Sequence, residues 1–252
     1  MYMLFTSITD TPELLTQNEA AVFKFTSAHY REVLSSPTLH FREQLINSLS
    51  ISFISAFFSV FLGALAAYAV TRLNLPGGKY LLIGTLAVSM FPQISLIGYL
   101  FKIMTRTGWI NTYAALIFPC IAWTLPISLW ILVSYFSRIP KELHFSAYID
   151  GCTPWQIFIR VILPVARPGI FSAGLIAFIY TFNDFLFALI LTHDHTARTI
   201  PVGIALFQGL YGETPWGNIM SAAVLSTVPV ILLAIIFQKQ IIQGLAKGAI
   251  KE

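Results

Sequence analysis

The chain has 252 residues, of which 56% are hydrophobic types and only 10% are charged, and its mean hydropathy is +0.75. A soluble domain carries about 25% charged residues, so this chain lacks the polar surface that water demands, and the same figures exclude disorder. The balance of 15 basic against 11 acidic residues, net +4, is therefore read by side of a membrane and not as a nucleic-acid patch.

Residues 1–8 (MYMLFTSI) are apolar but reach only ~12 Å as a helix, too little to span. They lack the basic start and long apolar core of a signal peptide. They read as a disordered start or as the last two turns of a helix. Residues 9–43 are polar with scattered aromatics and acids, an extramembrane stretch. Five runs then follow at 44–71, 80–101, 107–137, 168–193 and 214–238, free of charge except for Asp184 in the fourth. Each is long enough for the ~20 apolar residues of a spanning helix, which hides its backbone hydrogen bonds from the hydrocarbon. The third run is expected to be helical from about Thr112. No period of two recurs, which argues against a β-barrel. The expected fold is all-α: a polytopic membrane helix bundle with five full transmembrane helices, forming one domain over 1–252.

Gly63, Ala64 and Ala67 place small residues on one face of the first run, suited to close helix contact. Pro92, Pro119, Pro126 and Pro229 are expected to kink their helices. Cys120 lies in an apolar run and Cys152 in a polar loop, so the two are read as unpaired.

Orientation follows from Lys and Arg. Arg72, Lys79, Arg138, Lys141, Arg160, Arg167, Lys239, Lys247 and Lys251 fall on one side, and Lys24, Arg31, Arg42, Lys102, Arg106 and Arg198 on the other. The larger set marks the cytoplasm, so the C-terminus is expected inside and residues 9–43 and 193–217 outside.

The longest inner loop, 138–167, is more than a linker. Residues 141–149 favour a short helix, and Asp150-Gly151 offers a turn, because glycine adopts backbone angles that a β-carbon forbids. Pro154-Trp155 then opens a second helical piece, which Leu163-Pro164 and Arg167-Pro168 are expected to break. The pattern is a helix–turn–helix elbow on the cytoplasmic face.

The sequence holds no GxxxxGK[ST] phosphate loop, HExxH, CxxC or GxSxG, and hence no recognisable ATP site, cofactor site or catalytic set. His193-Asp194-His195 could touch a metal, but two ligands one residue apart read better as a solvated loop, and no metal is expected. Asn183 and Asp184 interrupt the fourth run. Asp184 lies ~13 Å from the end of that run, where a carboxylate faces a cavity or a partner. The pair reads as a polar stop on a solute path or as an interhelical hydrogen-bond latch. Phe178, Tyr180, Phe182, Phe185 and Phe187 surround it. They suit stacking on a sugar, lipid contact or core filling.

The elbow is similar to the EAA loop of ATP-binding-cassette (ABC) importer permeases. Gly151, preceded by Asp150, matches the family glycine, and Ile162-Leu163-Pro164 matches its apolar-Leu-Pro ending. The EAA triplet falls on Phe145-Ser146-Ala147, of which only the last alanine is kept. The chain also resembles the second permease of carbohydrate importers of the maltose and trehalose type. That likeness rests on Asn47-Ser48, Ala66-Ala67-Tyr68-Ala69, Met90-Phe91-Pro92, Asn183-Asp184-Phe185, Pro201-Val202 and the ending QKQIIQGLAKGAI.

The resemblance implies the type I ABC-importer permease fold, with residues 1–8 as the remnant of a sixth helix at the front. It implies residence in the cell inner membrane and a heterodimer with a second permease. Two ATPase subunits would hold ATP and Mg, and an extracytoplasmic binding protein would deliver a carbohydrate. Residues 141–155 would be the coupling helix, with Leu143, Phe145, Ser146, Ala147, Asp150, Gly151, Leu163 and Pro164 forming the ATPase contact. Leu143 and Ala147 would seat in the partner's groove. The outer loop at 193–217, with Gln208, Gly209, Leu210 and Tyr211 at its tip, would reach the binding protein. A stand-alone secondary transporter or channel is the competing reading, and a membrane-embedded enzyme a third. The first needs midplane coupling carboxylates or an inverted repeat, of which only Asp184 is seen. The second needs a catalytic cluster, and none is visible.

Overall fold

The computed structural model describes residues 2–9, 25–73, 75–210 and 215–249. Among these, regular structure is helical apart from an isolated bridge between Thr9 and Phe25. The helices are α1 (Tyr2–Ser7), α2 (Ala28–Ser35), α3 (Phe41–Arg72), α4 (Gly78–Ser89), α5 (Gln93–Thr107), α6 (Tyr113–Arg138), α7 (Lys141–Ile149) and α8 (Pro154–Ile157). A π-helical turn follows at Phe158–Ile162, then α9 (Leu163–Val165), α10 (Arg167–Phe182), α11 (Leu186–Leu191), α12 (Ile200–Leu210) and α13 (Trp216–Ala249).

Among the described residues, three stretches are long and apolar enough to cross a membrane unbroken: Phe41–Arg72, Tyr113–Arg138 and Trp216–Gln238. Two bent pairs meet the same criterion together, Gly78–Ser89 with Gln93–Thr107 at 90° and Pro154–Val165 with Arg167–Phe182 at 80°. Five spans result among the described residues if each pair counts as one.

The bends amend two expected boundaries. The second run is a right-angled pair broken at residues 90–92, because Pro92 has no N–H to donate and disfavours the helical conformation at Phe91. The fourth run does not continue to residue 193: α10 stops at Phe182, before Asn183-Asp184. Its bend lies at Ala166, where φ is −85° and ψ is 3°, so Pro164 sits inside α9 and does not end it. Pro119 and Pro126 lie within α6 and Pro229 within α13, and each helix continues past them.

The chain forms two compact units. The first comprises Met1–Ser50, Phe101–Ala115 and Asn183–Leu232. Polar hydrogen bonds knit it together. Asn47 Nδ2 donates to the carbonyls of His195 and Arg198, both at 3.0 Å, and Tyr113 Oη donates to Asn47 Oδ1 at 2.5 Å. Ser48 Oγ accepts from the Ile200 amide at 2.8 Å. Ser7 Oγ lies 2.6 Å from Tyr30 Oη, and Ser221 Oγ donates to the Ser7 carbonyl. These bonds satisfy polar groups that apolar surroundings would otherwise penalise by about 1–3 kcal/mol each.

The second unit comprises Ile51–Leu100, Leu116–Phe182 and Leu233–Glu252. Here the small-residue face of α3 packs as its sequence expects. Ala64 and Ala67 are buried, and a β-carbon on Gly63 would stand 3.3 Å from the Leu129 amide nitrogen. Ser59 and Ser128 exchange a hydroxyl hydrogen bond at 3.0 Å between α3 and α6. The core continues through Leu129, Leu132, Phe136, Ile157, Phe158, Ile162 and Ala173.

Candidate functional site: a clamped elbow

The elbow forms as its sequence expects, and each step has a local cause. The carboxy-terminal end of α7 is closed by bonds from the Gly151 amide to the Tyr148 carbonyl at 3.1 Å and from the Cys152 amide to the Ala147 carbonyl at 3.0 Å. That closure puts Gly151 at φ +82°, the left-handed region, with nothing within 4 Å of where a β-carbon would stand. The constraint is therefore conformational and not steric. Thr153 then starts α8 with a capping box: its Oγ1 accepts the Gln156 amide, and Gln156 Oε1 accepts the Thr153 amide at 2.8 Å. Pro154 takes the first helical position, where its missing N–H costs nothing.

The elbow has two faces. Ala147, Ile157, Phe158 and Ile162 are buried in the second unit's core, and Leu163 packs half-buried against it. Leu143, Phe145, Tyr148, Ile149 and Trp155 are exposed, Ile149 at 83%. Five large apolar groups thus lie at the surface of one short segment. The expectation that Ala147 seats in a partner's groove is corrected: it points inward, at 8% exposure. Leu163 and the half-buried Pro164 likewise belong to the return of the elbow and shape it from within. Ser146, Asp150 and Gly151 are exposed.

Sequence reasoning missed the clamp that holds the elbow. Tyr68, in the last turns of α3, donates its hydroxyl to the Pro154 carbonyl at 3.0 Å and lies 3.2 Å from His144 Nε2. Tyr68 has one proton and spends it on Pro154, so His144 must be the donor, with its hydrogen on Nε2. One phenol thus ties both arms of the elbow to α3. Burial first, and the Arg72 guanidinium second, push the His144 ring below its ordinary value. One turn on, Arg72 Nη2 donates to the carbonyls of Phe136, at 2.6 Å, and Ile139. It caps the carbonyl end of α6 where the chain enters the elbow. The signal was present in the sequence: one tyrosine inside an alanine run, and an arginine one turn later at a helix end.

Asn183 and Asp184, expected as a polar stop or an interhelical hydrogen-bond latch, lie between α10 and α11. Asp184 Oδ2 accepts the Ala188 amide at 3.3 Å, so its contact is local and starts α11. Of the neighbouring aromatics, Phe178, Phe182 and Phe187 are buried, while Tyr180 and Phe185 are exposed. Gln208, Gly209 and Leu210 lie in α12, and Tyr211 lies outside the described residues.

Two clefts open in the second unit. A cleft of about 420 Å³ is walled by Phe53, Phe57, Phe61, Phe171, Phe178 and Phe237 with aliphatic neighbours. It offers a hydroxylated solute no hydrogen-bond partners. A second, of about 340 Å³, is bounded by Leu86, Ser89, Trp123, Pro126, Ile127, Trp130 and Tyr180. It combines three amphipathic aromatics with a hydroxyl at the carboxy-terminal end of α4. The adjoining break places non-helical backbone in an apolar segment, which is tolerated where it lines protein or water.

The family model for "Binding-protein-dependent transport system inner membrane component" matches residues 59–247. The chain is 49% identical to the trehalose/maltose transport system permease protein MalG of Thermococcus litoralis over 251 residues, covering 100% of this chain and 90% of that protein. It is 43% identical to the trehalose transport system permease protein SugB of Mycobacterium tuberculosis, covering 84% of this chain and 77% of that one. Its fold is similar to a chain of a bacterial ABC transporter that imports the acidic polysaccharide alginate, with a TM-score of 0.74, 19% identity, 94% of this chain covered and 88% of that one. With its helical fold and the matched segment containing the whole elbow, the chain belongs to the family of binding-protein-dependent transport system inner membrane components.

Proposed function

We propose that this chain is one permease subunit of an ABC importer that carries a carbohydrate, delivered by an extracytoplasmic binding protein, across the cell inner membrane. The observation that carries the reading is the clamped elbow with its exposed apolar face, in a chain whose relatives are named as trehalose and maltose permeases. A second permease completes the path, and two ATPase subunits hold ATP and Mg. The elbow rests in an ATPase groove through Leu143, Phe145, Tyr148, Ile149 and Trp155. With the Lys and Arg bias, the C-terminus is cytoplasmic.

The mechanism follows from the attachments. When the ATPase pair closes, it pushes α7 as one body. Tyr68 and Arg72 transmit that push into α3 and into the end of α6, because both arms of the elbow are tied there. This chain contributes geometry, and ATP hydrolysis in the partner supplies the free energy. Trp123, Trp130 and Tyr180 suit the apolar faces of a sugar ring, and Ser89 suits its hydroxyls. The outer segment that carries α12 meets the binding protein.

Reconstitution of the complex in vesicles tests the reading. Uptake of trehalose or maltose should require external binding protein and internal ATP together. Uptake by this chain alone, without ATP, would restore the stand-alone transporter.

A further inference from the structure

The first unit holds a cluster that the transport reading does not use. His40 Nδ1 lies 3.0 Å from Glu43 Oε2, and His195 Nε2 lies 3.8 Å from the same oxygen. The two imidazoles stack at 4.0 Å with an interplanar angle of 6°. The three donor atoms fall within 4.8 Å of one another. We propose that His40, Glu43 and His195 form a binding site for a transition-metal dication, with Zn²⁺ the best match.

The ligand chemistry selects the ion. Two imidazoles and one carboxylate are a borderline donor set that suits Zn²⁺ and disfavours the hard, all-oxygen cations Ca²⁺ and Mg²⁺. Zn²⁺ bonds of ~2.0–2.2 Å in tetrahedral geometry place donors ~3.3–3.5 Å apart. The observed 3.0 and 3.8 Å to Glu43 bracket that spacing, and the two parallel rings turn out of their stack to aim both nitrogens at one ion. Three protein ligands leave a fourth position for water.

The backbone is built for the cluster. His40 sits at φ +47°, an uncommon conformation for a residue with a β-carbon. Its carbonyl accepts the Gln44 amide at 3.0 Å, fixing it at the head of α3 one turn from Glu43. His195 is fixed independently. Asn47 holds its carbonyl and that of Arg198. Asn111 Nδ2 donates to Asp194 Oδ1 and Thr196 Oγ1, both at 2.7 Å. An exposed His–Glu contact contributes only ~0–1 kcal/mol, so imidazole–carboxylate attraction alone is a weak reason for this convergence. A bound ion would staple the loop of residues 193–199 to the head of α3.

The test uses the assembled, untagged complex, stripped with chelator and titrated with ZnCl₂ by calorimetry. Co²⁺ absorption serves as a second probe of tetrahedral nitrogen and oxygen ligation. Saturable uptake, stoichiometric with this chain, is expected. His195→Ala and Glu43→Gln should each weaken it by at least the ~10–100-fold that loss of even an outer-shell partner costs. His193→Ala, beside the cluster but outside it, should leave binding unchanged. If His195→Ala fails to assemble, Glu43→Gln and His40→Asn decide, since asparagine tolerates the positive φ. Absence of saturable uptake, uptake retained in Glu43→Gln, or equal loss in His193→Ala overturns the site.

Discussion

Tyr68 concentrates the argument at the level of single side chains. Its ring packs against Phe158 at a centroid distance of 5.1 Å while its hydroxyl reaches both arms of the elbow. Tyr68→Phe keeps the ring and removes only the hydroxyl, leaving the Pro154 carbonyl and the His144 Nε2 hydrogen without their partner. A loss of about 1–3 kcal/mol in stability is expected, together with weaker coupling of ATP hydrolysis to uptake. Thermal melting and the ratio of sugar imported to ATP hydrolysed measure the two effects. Full coupling in Tyr68→Phe would reduce the clamp to packing. His144 adds a pH dependence. Its folded value lies below the ordinary 6.5, chiefly through burial, so folding favours the neutral ring. That contribution is complete above the unfolded value and is lost as pH falls through the depressed folded one. His144→Gln retains an N–H donor without titrating there. It should flatten the fall in melting temperature below about pH 6.5, and an unchanged acid profile would contradict the assignment.

At the level of helices and turns, two glycines make separable predictions. Gly151 is constrained by conformation alone: φ is +82° and nothing crowds it. Asparagine tolerates that region better than valine does. Gly151→Asn should therefore transport nearly as the parent, Gly151→Val should lose about 1–2 kcal/mol, and Gly151→Pro, which also removes the amide bonded to Tyr148, should abolish uptake while the protein remains in the membrane. Equal uptake by all three would show that the turn does not govern the lever. Gly169 is constrained by space: a β-carbon would stand 2.4 Å from Tyr135 Cγ, so Gly169→Ala should cost about 1–3 kcal/mol through overpacking. A parental melting temperature would show that the ring yields freely.

The elbow was legible in the sequence because its causes are local: a glycine, a capping threonine and prolines at fixed spacing. So was the small face of α3. What the sequence withheld was direction and distance. Ala147 matches the interaction motif by position yet packs inward, because a short helix lying on a core must turn one face down. Asp184 read by composition as a polar stop or a latch, and its carboxylate also accepts the amide four residues on, a local bond that composition does not reveal. The right angle at residues 90–92 exceeds the kink that Pro92 alone suggests. His195 seemed one of a weak pair within its own loop. Its partners His40 and Glu43 lie far away in the chain, and only tertiary structure joins them.

For the whole molecule, the proposed function makes the chain the lever of a machine whose motor is another protein. It is 28.1 kDa, its sequence carries no phosphate-binding loop, and its exposed apolar elbow implies a partner groove. A photoreactive amino acid placed at Phe145, on the exposed face of α7, tests that claim most directly. In the assembled complex, irradiation should join this chain to an ATPase subunit, with a yield that changes when ATP is added. A crosslinker at Ala147, on the buried face, should give no such product. Absence of any ATPase adduct from Phe145 in an intact, transporting complex would contradict the account.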